Sequence, residues 1–164
     1  MGGLFYSQNH VAKSRLIALF VYMNSNQIAV NILMCAIRYR RKQVIEIFGS
    51  EFEAELFHTL AELSKNHTDK EYLLYHLIES VKGKFPAEEG RYEVNTEVSL
   101  SEVISHYKST PRFLSDDRLS VYDDLELEAV LEDFVTIVKR RLDRDTELKE
   151  KVSDRIRAKI RSRQ

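Results

Sequence analysis

Apolar residues recur along this chain at intervals of three and four, the spacing of one face of an α-helix. Such runs cover Val11 to Met23, Ile28 to Phe48, Phe52 to Lys65, Thr68 to Lys84, and a long stretch starting near Asp124. The polar break NSNQ closes the first run, and Asn26 is placed to cap the second, which Gly49 ends. Three S/T-x-x-E signatures, Ser50–Glu53, Thr68–Glu71 and Ser99–Glu102, each precede an apolar periodic segment. They predict capping boxes that open helices ending near Lys65, Lys84 and Tyr107 or Lys108. Between Pro86 and Val98 the periodicity fails, and Tyr92, Val94, Thr96 and Val98 alternate as a short extended piece would. Thr110 to Asp123 is a second long connection.

On a 100° wheel each predicted helix sorts into faces. The helix over 52–65 turns Phe52, Leu56, Phe57, Leu60 and Leu63 inward and Glu51, Glu55, His58, Glu62 and Lys65 outward. The next buries Leu74, Leu77, Ile78 and Val81 and sends His76 to solvent. The helix from Asp124 has the broadest apolar face, from Leu127 to Leu142, and is expected at the centre. Along the helix over 26–48, Gln27, Asn31, Cys35, Arg38 and Lys42 lie within about 80° of one another as a wet edge. Arg40 falls in the middle of the opposite, apolar face. A buried unpaired guanidinium is too costly there, so the helix bends, Arg40 meets a carboxylate, or the face meets another chain. Arg141 sits similarly at the edge of the apolar face of the helix after Asp124.

These elements predict an all-α bundle of five to six helices, with at most a short extended piece near 91–98. A bundle domain over 1–144 is expected to carry a protruding, basic C-terminal helix over 145–164. Composition agrees. With 164 residues and 43% hydrophobic positions there is enough for one core. Five glycines and two prolines are too few for a sandwich or a disordered chain.

Charge alters the picture only locally, because 25 basic and 26 acidic residues nearly cancel. Arg38, Arg40, Arg41 and Lys42 form one basic cluster, and Lys139 to Arg163 holds eleven basic residues against five acidic. In the tail, Arg155, Lys159 and Arg163 stack at spacings of four, beside Ile156 and Ile160. This resembles an amphipathic or coiled-coil seam as much as a phosphate-binding face. Acidic at its start and basic at its end, the long C-terminal stretch suits its own helix dipole and favours antiparallel pairing with a second copy.

Candidate chemistry is thin. Glu55-x-x-His58 matches one element of a di-iron bundle, but no second such element exists and this one points outward. Cys35 is expected to be an inert small hydrophobe, and no glycine-rich phosphate loop or nucleophile elbow is present. No charged start leads into an apolar signal core, and the MGGLFYS start misses the myristoylation pattern by one position, at Ser7. Leu16 to Ile37 is interrupted by NSNQ and Asn31, which argues against a membrane span. The single cysteine suits a reducing, cytoplasmic setting.

The expectation is therefore a non-enzymatic regulatory or adaptor module, without cofactor or metal, acting through helix-mediated protein–protein contact and self-associating as a dimer. Arg40, Arg141, Arg155, Lys159 and Arg163 are its contact candidates. One alternative is nucleic-acid binding through Arg38, Arg41, Lys42, Arg157 and Arg161. Another is a helical sensor enclosing an apolar ligand among Phe20, Tyr22, Phe48, Phe52 and Phe57.

Overall fold

The computed structural model describes residues 24–88 and 97–161. The helix expected over 11–23, Arg163, and all of the extended piece except Glu97 and Val98 lie outside these residues. Among the described residues the fold is all-α, and no helix is long and apolar enough to cross a membrane.

The chain runs through α1 (Ser25–Arg38), α2 (Arg41–Phe48), α3 (Glu51–Asn66), a 3-10 turn (Thr68–Lys70), α4 (Glu71–Val81) and α5 (Leu100–Ser109). Two single-turn helices, α6 (Pro111–Leu114) and α7 (Asp117–Ser120), then lead to the long α8 (Asp124–Arg144) and to α9 (Thr146–Arg161). The helix expected over 26–48 is thus two helices, broken at Tyr39 and Arg40, whose backbones are extended. Its cap is Asn24 rather than Asn26; the Asn24 Oδ1 accepts from the Gln27 N–H at 2.8 Å.

The break has identifiable causes. At the C-terminal end of α1, Arg112 Nη2 donates to the Ile37 carbonyl and the Glu88 N–H donates to the Arg38 carbonyl, both at 2.7 Å. These distant groups satisfy carbonyls that a helix end leaves open. Beyond the break, Gln43 Oε1 accepts from the Arg40 N–H at 3.1 Å and starts α2. Close by, Gly83 closes α4 at φ +76, where an added Cβ would lie 2.9 Å from the Arg41 backbone nitrogen. Only a residue without a side chain allows α4 to end against the start of α2.

One of the three expected capping boxes forms in part: Ser99 Oγ accepts from the Glu102 N–H at 3.3 Å. Ser50 makes no side-chain cap, because its own backbone is helical and the Glu53 N–H donates to its carbonyl at 3.1 Å, while the Glu53 side chain turns to Arg41, 2.5 Å away. Thr68 opens a 3-10 turn instead. A complete box stands at Asp123 and Glu126, where α8 begins.

Two helices share the centre. α8 buries Leu127, Val130, Leu131, Phe134, Ile137, Val138 and Leu142 against α1, α3 and α5. α1 is buried on almost every side, so Asn31 and Cys35, expected on a wet edge, are in the core. Asn31 stays satisfied by donating to the Gln27 carbonyl at 2.8 Å. The expectation of a protruding C-terminal helix is also corrected. α9 folds back on α2, α3 and α8 and buries Leu148, Val152, Ser153 and Ile156. The tail's apolar spacing of four is a core seam.

Candidate interaction surfaces

The basic residues singled out above divide by their partners. Arg141 does not wait for another chain: its Nε lies 2.9 Å from Glu55 Oε1, linking α8 to α3. Glu55, expected outside, is buried because this guanidinium covers it, and it holds the Arg141 pKa above its ordinary value. Arg155 faces Glu51 more loosely, at 3.9 Å. Arg40 is exposed at the head of α2, so the helix break removes the problem of an arginine on an apolar face. Lys159 is partly exposed on α9.

Arg38 meets Glu88 at 3.2 Å, Arg41 meets Glu53 at 2.5 Å, and Arg157 meets Asp154 at 3.1 Å. Lys42 is exposed, and Arg161 lies in the last turn of α9. Phe48 and Phe52 pack ring to ring in the core, 5.9 Å apart, while Phe57 is exposed. Those three rings therefore do not enclose a ligand together, and Phe20 and Tyr22 lie outside the described residues. Glu55-x-x-His58 is no ligand pair, since Glu55 is buried on Arg141 and His58 is exposed. Among the described residues no group of three or more His, Cys, Asp or Glu is arranged to hold a metal ion.

Two features escaped the pattern of the sequence. The first is a set of exposed apolar side chains close together in the chain. Leu114, Val121 and Leu125 are 68%, 74% and 76% exposed, and all fall in the connection from α6 to the first turn of α8. Acidic residues surround them in the chain: Asp116, Asp117, Asp123, Asp124 and Glu126. The only sequence signal was three large apolar residues in a stretch with no helical period.

The second is an aromatic and polar corner where α4 meets α5, α6 and α7. His76, expected outside, is buried; its Nδ1 shares a hydrogen bond with the Tyr107 hydroxyl, and its ring stacks on Phe85 at 4.8 Å. Burial pulls the His76 pKa down to about 4 and pushes the Tyr107 hydroxyl up, so both are neutral near pH 7. Tyr72 donates to Asp116, which raises the phenol's pKa and lowers the carboxyl's. Arg118 covers the Tyr72 ring at 4.0 Å and reaches Asp116 at 3.4 Å. His106 faces Glu88 at 3.3 Å. Burial depresses its pKa. The chain matches no family model, no curated protein and no solved structure.

Proposed function

We propose that this chain is a non-enzymatic regulatory or adaptor module that acts by helix-mediated protein–protein contact, with a second copy as its partner at the Leu114–Leu125 edge. The observation that carries the reading is the exposure of Leu114, Val121 and Leu125, at 68%, 74% and 76%, in one short connection. Exposed apolar groups concentrated in one place mark interaction sites more often than scattered ones do. The occupant follows from charge. Acidic residues flank this edge, while the far end of α8 presents Lys139, Arg140 and Arg144, all exposed. Antiparallel approach of two copies sets each acidic edge against the other's basic end, which supplies steering and register. Arg141 and Arg155 are then internal struts, and the contact moves from the tail to the 114–125 edge. A cytoplasmic setting fits the single, buried Cys35 thiol.

Nucleic-acid binding has less support, because Arg38, Arg41 and Arg157 each face a carboxylate that offsets the field a phosphate would meet. The test is sedimentation velocity across a wide concentration range. The wild type should shift from monomer to dimer as concentration rises. Leu114→Ser/Val121→Ser/Leu125→Ser, and separately Lys139→Glu/Arg140→Glu/Arg144→Glu, should remain monomeric. A wild type that stays monomeric throughout, or a serine variant that associates equally well, overturns the reading.

A further inference from the structure

Arg38, Arg112 and Arg157 are the partly buried arginines among the described residues, and Arg38 and Arg157 face carboxylates. Arg112 does not. Its Nη2 donates to the Ile37 carbonyl at 2.7 Å, and its guanidinium lies over the Phe85 ring at 5.8 Å. Burial lowers its pKa, and Tyr107, the group whose charge would oppose this, is neutral near pH 7. A half-buried cation with no carboxylate of the described residues at ion-pair distance carries a desolvation cost that one carbonyl and one ring offset only in part. One carbonyl also occupies only one of the five N–H donors of a guanidinium.

Arg112 lines two adjoining clefts. The larger, about 830 Å³, is walled by Tyr72, Tyr75, His76 and Phe85 on one side and by Ser115 to Arg118 on the other. That volume lies within the range of small-molecule sites. Tyr75 is 55% exposed at the wall, so an aromatic face is open to an incoming ring. The remaining charges narrow the ligand. Arg118 is engaged with Asp116, and Asp117 is exposed on the same lining. Two carboxylates repel a dianion such as a phosphate ester, whereas a single carboxylate can still be held by the planar fork of one guanidinium.

We propose that this cleft binds a small aromatic monocarboxylate, its carboxylate on Arg112 and its ring against Tyr75. This cleft adjoins the proposed contact at Leu114, Val121 and Leu125 and shares Asp116 and Asp117 with its acidic flank, but ligand binding does not require that contact. The experiment is a calorimetric titration of the full chain at pH 7 with 3-phenylpropionate, compared with 3-phenylpropan-1-ol, butyrate and phenyl phosphate. The phenylpropionate should bind, and the other three should bind at least about tenfold more weakly. Arg112→Gln should weaken 3-phenylpropionate at least about tenfold, and Tyr75→Ala several-fold. Arg112 also closes α1, so its variant is read only if its circular dichroism matches the wild type. Tyr75, half exposed, keeps the test intact if it does not.

Four results overturn the proposal: no binding of 3-phenylpropionate up to about 10 mM, or equal binding of the alcohol, or tighter binding of phenyl phosphate, or unchanged affinity in Tyr75→Ala.

Discussion

The body formed by α1, α3, α8 and α9 and the corner formed by α4, α6 and α7 treat charge in opposite ways. In the body, the buried carboxylate Glu55 is answered by Arg141 from the facing helix. In the corner, the partly buried guanidinium of Arg112 touches a carbonyl and an aromatic ring, and no carboxylate of the described residues lies within ion-pair distance of it. The body also hides most of its apolar side chains, with Phe134 and Ile156 fully covered, while the stretch from α6 to the first turn of α8 leaves Leu114, Val121 and Leu125 in solvent. Interiors that are packed and charge-matched hold a fold together. Surfaces that are neither are where a chain of this kind has something left to bind.

The largest effect that sharpens this contrast is expected in the body. Phe134→Ala should cost about 3–5 kcal/mol in urea unfolding, because Phe134 is wholly buried in α8 and its removal leaves a cavity. A loss under about 1 kcal/mol would mean that the centre is looser than described. Next is a pH effect belonging to the corner. Unfolded His76 takes up a proton near 6.5, but the folded ring resists until about 4. Stability from this group is therefore whole above pH 6.5 and falls progressively as pH drops towards 4, by about 3 kcal/mol. Denaturant midpoints measured along that pH series should fall less steeply for His76→Gln than for the wild type; parallel curves would sink the assignment.

Arg141→Ala comes third. It strands Glu55, but the guanidinium is 44% exposed and water can replace part of it, so about 1–3 kcal/mol is expected. Adding Glu55→Gln should restore part of that loss, and a double-mutant cycle reads the coupling. The smallest effect lies at the edge: Leu114→Ser should change stability by no more than about 0.5 kcal/mol, since the side chain is already in water. A larger loss would show that Leu114 is packed.

Much of the architecture was legible because periodicity reports burial directly. The faces of α3 and α8 were read almost residue by residue, with Phe57, which is exposed, and Glu55, which is buried, the exceptions. What failed depended on contacts distant in sequence. No glycine or proline marks the break at Tyr39 and Arg40; Glu88 and Arg112 create it from elsewhere in the chain. A helix wheel assigns one solvent side to α1, yet neighbours on every side bury Asn31 and Cys35 too. Two of the three box signatures were overruled, one by the helical backbone of Ser50 itself and one by a 3-10 turn. Of the contact candidates, Arg141 was read correctly as an intruder on an apolar face, but its carboxylate could not be chosen from many. The Arg112 cleft left no trace, because α6 and α7 are too short to carry a period.

The end of α1 has a consequence for how the chain folds. Its last carbonyls accept from residues 50 and 75 positions further along, at Glu88 and Arg112. Local helix forms on a sub-microsecond to microsecond scale, but these closures wait until a long loop has been brought together. The early rise of helix signal should therefore precede the fixing of the α1–α2 boundary. Substitutions at Arg112 should speed unfolding far more than they slow refolding. The helix break is thus a late signature of the native state, set once the two halves of the chain have met.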